Sequence, residues 1–139
     1  MAAVVLSRVF SAGVLGIDAY TVEIEADVAF GLPAYNLVGL PDSAVKEGFV
    51  RVRAALENSG FPVPPRRVTV NLAPADVRKD GAAFDLPIAL ALLLALEMIP
   101  AGSVEQVLVL GELGWGNWGS MAACGGSWGA CRWPSTRGG

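Results

Sequence analysis

The 139-residue chain is 53% hydrophobic, carries a formal net charge of −3 and contains no histidine. Its length suffices for one domain with its own core, and its composition excludes a disordered chain. The acidic balance argues against avid nucleic-acid binding by this chain alone, and the lack of histidine removes the commonest metal ligand and general base.

Three strands are predicted in the first forty residues, at Val4–Phe10, Tyr20–Val28 and Ala34–Leu40. The second of them alternates apolar with acidic residues, which is typical of a strand with one face on the core and the other on water. The start of the chain has no basic segment of the kind that opens a signal peptide, and it carries Arg8 within its apolar stretch. We therefore expect a cytoplasmic protein.

A helix is predicted to begin after the N-cap Asp42 and to end at Gly60, followed by a strand at Arg67–Leu72. Its predicted buried face consists of apolar residues at helical spacing: Val45, Phe49, Val52 and Leu56. A second helix is predicted at Asp85–Met98 with Asp85 as its N-cap, and a last strand at Val107–Leu110. The order βββαβαβ indicates an α+β fold of α/β layers, with helices against one sheet.

The longest apolar run of the chain, Leu86–Leu96, falls within the second predicted helix. It is about half as long as a membrane-spanning helix requires. The run therefore predicts a buried helix, and no membrane partner is expected.

The composition changes after Gly114. All four tryptophans and both cysteines lie in Trp115–Gly139, which is rich in glycine and has no acidic residue. No period of 2 or 3.6 is present there, so we expect a domain at residues 1–114 and an irregular tail at 115–139. The spacing of Cys124 and Cys131, with no further ligand type nearby, predicts no zinc site.

Four parts of the chain carry a family resemblance: Tyr35–Asp42 (YNLVGLPD), Arg51–Leu56 (RVRAAL) with Asn58–Gly60 (NSG), Val70–Ala89, and Leu110–Leu113 (LGEL). On these runs the first 114 residues resemble the N-terminal domain of the ComM/YifB family of magnesium-chelatase-like AAA+ ATPases. The resemblance implies a fold like that of ribosomal protein S5 domain 2, which the Lon protease domain also has. It further implies that an AAA+ ATPase module of the same parent protein is a partner of this domain and that the intact protein forms homo-oligomers. Since some members of the family are branch-migration helicases in natural transformation, it also implies that the parent protein binds DNA.

The Lon protease pattern P-K-D-G-P-S-A-G matches this chain at Lys79-Asp80-Gly81 and places its nucleophilic serine at Ala83. An alanine methyl group cannot attack a carbonyl, so the match predicts no Ser–Lys catalysis at this position. No G-x-x-x-x-G-K-[ST] motif occurs in the chain. We expect no catalytic, cofactor-binding or metal-binding residues here, with ATP and Mg used only elsewhere in the parent protein.

The turn formed by Lys79, Asp80 and Gly81 has two interpretations: a solvated turn, or an interdomain contact with the ATPase module. A phosphate site is disfavoured, because one glycine does not form a glycine-rich cradle. Six basic residues also have two interpretations: they form one basic patch, or they lie on a solvated face interleaved with acidic residues. They are Arg51, Arg53, Arg66, Arg67, Arg78 and Lys79.

The tail has the composition of GC-rich DNA read out of frame. When the codons of Trp115–Ala130 are shifted by one base, they permit the peptide GELGLDGRLRRVLG. This peptide matches the pattern with which the family continues, G-E-L-x-L-D-G-x-L-R-x-V-x-G. We therefore interpret the tail as the product of a frameshift, which leaves out the last strand and helix of the domain. One consistent choice of codons gives a short DNA unit, beginning at the codon of Leu110, that occurs twice in tandem. The length of the unit is not a multiple of three, so its duplication would shift the reading frame. The nucleotide sequence across Leu110–Gly119 tests this hypothesis, because it must contain the repeat.

The leading expectation is a non-catalytic N-terminal domain, in fragment form, with a docking or regulatory role in an ATPase assembly. A Lon-like Ser–Lys peptidase is the enzymatic alternative, and Ala83 argues against it. A nucleic-acid-binding module is the third, disfavoured by the acidic balance and by the few exposed aromatic residues that are expected.

Overall fold

A computed structural model describes residues 5–79, 81–100, 102, 104, 107–111, 113 and 123–125. The strands are β1 (Val5–Leu15), β2 (Asp18–Ala29), β3 (Ala34–Val38), β4 (Arg67–Ala73), β5 (Leu108–Leu110) and β6 (Ala123–Gly125). The helices are α1 (Ser43–Asn58) and α2 (Asp85–Ala95), the latter preceded by a 3-10 turn at Ala82–Phe84.

The described strands form one mixed sheet in the order β3-β4-β2-β1-β5-β6. Three neighbouring pairs are antiparallel (β1–β2, β2–β4 and β5–β6), and two are parallel (β3–β4 and β1–β5). A mixed sheet with two helices confirms the predicted α+β class and, up to β5, the order βββαβαβ, and it is compatible with the fold of ribosomal protein S5 domain 2.

The β1–β2 hairpin is longer than predicted. Its pairing continues to Leu15 opposite Asp18, so the predicted end of β1 at Phe10 is five residues early. Small residues between these points give little strand signal, and the partner strand supplies the order. At the other edge, β3 ends at Val38 instead of Leu40, because the backbone turns at Gly39 with φ +108°.

The core lies between the sheet and the two helices. Every residue of α2 except Leu94 is buried, because this helix packs against β1, β2, β5 and α1. A helix that is apolar on all sides requires such an enclosed position. It ends three residues before the predicted Met98, whose N–H closes the helix on the Leu93 carbonyl at 2.9 Å.

The two helix starts differ from each other. Asp42 caps α1 as predicted, since its side chain accepts the Val45 N–H at 2.8 Å. The predicted cap of α2 is wrong, because Phe84 holds the N-cap position without a side-chain bond and Asp85 is the first helical residue. The 3-10 turn before α2 rotates Asp85 into the interior, where it is 1% exposed.

Three residues of the predicted irregular tail form β6, which pairs with β5 in the order Leu108↔Gly125, Val109↔Cys124 and Leu110↔Ala123. The remainder of Trp115–Gly139, Glu112 and Asp80 lie outside the described residues. The domain boundary at residue 114 and the frameshift stay predictions.

Candidate functional site

Two loops meet where β3 and β4 end. These strands are parallel, so the chain leaves both of them at the same side of the sheet. The loop after β3 and the loop after β4 pair through a bridge between Pro41 and Lys79. The Lys79 N–H donates to the Leu40 carbonyl at 3.0 Å, and the Asp42 N–H donates to the Lys79 carbonyl at 2.9 Å. The paired segment contains Lys79, the first residue of the Lys79-Asp80-Gly81 turn for which the sequence predicts either a solvated turn or an interdomain contact.

The side chain of Lys79 is fully buried at 0% exposure, so the prediction of a solvated turn is wrong for this residue. Its Nζ donates to the Gly39 carbonyl at 2.7 Å and to the Pro74 carbonyl. Removal from water lowers the pKa of Lys79, and the negative charge of Asp76 acts in the opposite direction. A buried cation requires such acceptors, and Lys79 uses them to join the two loops.

Gly39 permits this approach of the loops. It has a φ of +108°, and a Cβ at this position would overlap the Leu72 carbonyl oxygen in β4. Only glycine combines that backbone conformation with that contact.

Asp42 connects the start of α1 to the same loop. One carboxylate oxygen accepts the Val45 N–H, and the other accepts the Gly81 N–H at 3.2 Å. Asp80, the middle residue of the predicted contact, lies outside the described residues. The interdomain contact at Lys79, Asp80 and Gly81 stays a prediction, and in this conformation the Lys79 side chain faces inward.

Ala83 occupies the position that the Lon pattern gives to serine. It is exposed within the 3-10 turn, and its carbonyl accepts the Gly111 N–H at 2.9 Å. The Leu86 N–H in turn donates to the Gly111 carbonyl at 3.0 Å. These two bonds fix the start of α2 to the end of β5, and a methyl group occupies the position that the Lon pattern gives to serine.

A buried ion pair that the sequence analysis missed joins the two helices. The Asp85 carboxylate accepts a hydrogen bond from Arg51 Nε at 3.1 Å. The Asp85 side chain is 2% exposed, and the Arg51 side chain is 20% exposed. The same carboxylate accepts the Leu113 N–H at 3.3 Å, which ties the segment after β5 to both helices. A Cβ at Gly48 would overlap Asp85 Oδ1, so glycine there permits the close contact. The available signal was a lone carboxylate at the start of an otherwise apolar helix.

Tyr35 extends this polar centre toward β3. Its ring stacks on Phe49 with a centroid distance of 3.5 Å, while its hydroxyl is buried and has no hydrogen-bond partner among the described residues. Burial, and secondarily the negative charge of Asp85, raise the pKa of Tyr35. The phenol therefore stays neutral.

The basic residues do not form one patch. Arg51 and Lys79 point inward, Arg53 pairs with Glu57 on the surface of α1, and the Arg66 guanidinium lies 4.6 Å from the centre of the Phe30 ring. The patch interpretation is wrong for Arg51 and Lys79.

Among the described residues, no group of three or more Cys, Asp or Glu side chains is placed to hold a metal ion. In the same part of the chain, neither helix has the length and hydropathy needed to cross a membrane.

Comparison with known proteins gives one family. The family model described as subunit ChlI of Mg-chelatase matches residues 24–125. Competence protein ComM of Haemophilus influenzae is 45% identical over 108 residues, which cover 78% of this chain and 21% of ComM. The uncharacterized protein YifB of Escherichia coli K12 is 44% identical over 108 residues, with the same two shares.

A protein of Mycobacterium tuberculosis H37Rv is 47% identical over 108 residues, which cover 78% of this chain and 22% of the relative. The chain therefore spans about a fifth of the length of these relatives.

Proposed function

The chain belongs to the family of the ChlI subunit of Mg-chelatase, in its ComM/YifB branch, and from this premise we propose a non-catalytic role. The chain is the N-terminal domain of a magnesium-chelatase-like AAA+ ATPase, and it docks on or regulates the ATPase module. ATP and Mg bind elsewhere in the parent protein, which forms a homo-oligomer. The name of the relative ComM, a competence protein, extends the proposal to DNA processing by that parent.

One observation carries the proposal: the position that the Lon pattern gives to the nucleophilic serine holds no nucleophile in this chain. Ala83 offers a methyl group where the Lon pattern has serine. The Lys79 amine, which lies in the same loop, is engaged by the carbonyls of Gly39 and Pro74. A nucleophile needs a base within hydrogen-bond reach, and this arrangement supports a structural use of the loop.

The test is an association measurement. The purified 139-residue chain is titrated against Escherichia coli YifB from which the matched region has been deleted, and a nucleotide-dependent thermal shift verifies that this partner is folded. We expect saturable binding. No binding at any accessible concentration would contradict the docking role.

A second measurement addresses the peptidase alternative. A fluorophosphonate probe labels activated serines, and we expect no labelling of this chain. Stoichiometric labelling at a serine would revive the peptidase, and replacing Ala83 by serine provides a matched variant for the same probe. We expect that variant to stay unlabelled as well, because a serine hydroxyl is a weak nucleophile without an adjacent base, and in the Lon resemblance the lysine base falls beyond Gly114.

A nucleic-acid-binding role is the second candidate, favoured by one surface feature. Phe30 is 67% exposed with the Arg66 guanidinium over its ring, and the exposed Arg67 is adjacent in sequence. Aromatic rings beside cations stack with unpaired bases. Salt-dependent binding of single-stranded DNA that is lost in Phe30→Ala would support this role.

A further inference from the structure

Leu40 has a backbone conformation that a leucine rarely adopts. Its φ is +55°, in the left-handed region where a Cβ crowds the backbone. It also precedes Pro41, and a residue before proline is normally driven to an extended conformation. Such an outlier destabilises the fold unless other interactions offset it.

The other described non-glycine residue with positive φ has a local explanation. Glu97 has a φ of +57° directly after α2, where the Met98 N–H closes the helix on Leu93. Left-handed residues are common at that helix position. Leu40 stands before a helix instead, so helix termination does not account for it.

Lys79 holds Leu40 in place. Lys79 forms three hydrogen bonds with residues 39–42. Its N–H donates to the Leu40 carbonyl, its Nζ donates to the Gly39 carbonyl, and its own carbonyl accepts the Asp42 N–H. The neighbours of Leu40 are therefore fixed on both sides. These bonds constrain the backbone at Leu40, and with it the direction of its Cα–Cβ bond.

The Leu40 side chain does not pack in the hydrophobic core. It is 52% exposed, and it is not among the side chains of the described residues that pack against the buried cluster. A glycine at position 40 would adopt the same backbone without crowding. The described residues therefore give no reason for a bulky apolar group that is both strained and exposed.

We propose that Leu40 is the apolar anchor through which this domain docks on the ATPase module, with Lys79 presenting it in a fixed conformation. The proposal rests on the proposed function. The partner is argued from length, because about four-fifths of each relative lies beyond the region that this chain matches. An apolar side chain that is held rigidly before binding loses little conformational freedom when it enters a pocket.

The test compares three variants in the titration against YifB lacking its matched region. Leu40→Ala removes the side chain and keeps the strain, whereas Leu40→Gly removes both. Leu32→Ala is the matched control, because Leu32 is a highly exposed leucine with no such constraint. We expect Kd to rise about tenfold or more in both Leu40 variants and to stay unchanged in Leu32→Ala.

Thermal unfolding of the same proteins separates strain from contact. Leu40→Gly should raise Tm by roughly 2–4 °C while it weakens binding. Such opposite changes exclude misfolding as the cause of the lost affinity. Wild-type-like binding of both Leu40 variants would overturn this inference alone. Absence of binding by the wild-type chain would overturn the proposed function and this inference with it.

Discussion

The Asp85 carboxylate in α2 holds the Arg51 guanidinium of α1 at 3.1 Å through Nε, across a helix interface from which water is largely excluded. Removal of one partner leaves the other charge buried without compensation. We expect Asp85→Ala to lower the free energy of unfolding by about 3 kcal/mol, measured by urea denaturation.

The control is Arg53→Ala, which breaks the exposed pair with Glu57 within α1. That change should cost less than about 0.5 kcal/mol. Equal losses for Asp85→Ala and Arg53→Ala would contradict the importance of the buried pair.

Gly48 is expected to resist replacement by alanine, although alanine is the better helix former by about 1 kcal/mol. The added methyl group would overlap Asp85 Oδ1, so Gly48→Ala should destabilise the fold by roughly 1–3 kcal/mol. In the Asp85→Ala background the obstacle is absent, and the same change should be neutral or stabilising. A double-mutant cycle measures this coupling. Additive effects would show that the overlap is relieved elsewhere.

The two tyrosines of the chain provide opposite predictions for the loss of a hydroxyl. Tyr35 has a buried hydroxyl without a partner among the described residues, so Tyr35→Phe should raise the free energy of unfolding by about 1 kcal/mol. Tyr20 donates to the Arg78 carbonyl at 3.0 Å, so Tyr20→Phe should lower it by about 1 kcal/mol. Denaturant midpoints of both variants test the pair, and a loss of stability in Tyr35→Phe would indicate a partner for that hydroxyl.

Stability should depend on pH through Lys79. Burial lowers the pKa of Lys79 in the folded state below its ordinary value of 10.5, so the unfolded chain binds more protons between the two pKa values. The free energy of unfolding therefore rises as the pH increases from the lowered folded-state pKa toward 10.5. Lys79→Met should lack this rise. Denaturation of both proteins across this pH range checks the difference, and parallel pH profiles would refute it.

The prediction of the fold succeeded where the signal was local. Alternation in β2, the Asp42 cap and the stop at Gly60 depend on near neighbours, and all three are confirmed by the structure. The prediction failed at Lys79 and Asp85, where charge suggested a solvated turn and a helix cap. Their surroundings come from residues that are distant along the chain, so a local pattern could not identify them.

The order of the elements up to β5, the family, and the methyl group of Ala83 in place of a nucleophile can be predicted from the sequence, because they follow from residue identity and short periods. The burial of Lys79 and the exposure of Leu40 depend on the tertiary structure. Lys79 reaches Gly39 across 40 positions of sequence, and that contact exists because β3 and β4 lie parallel and leave the sheet together. Strand pairing sets which distant groups meet, and therefore which charged side chains are removed from water.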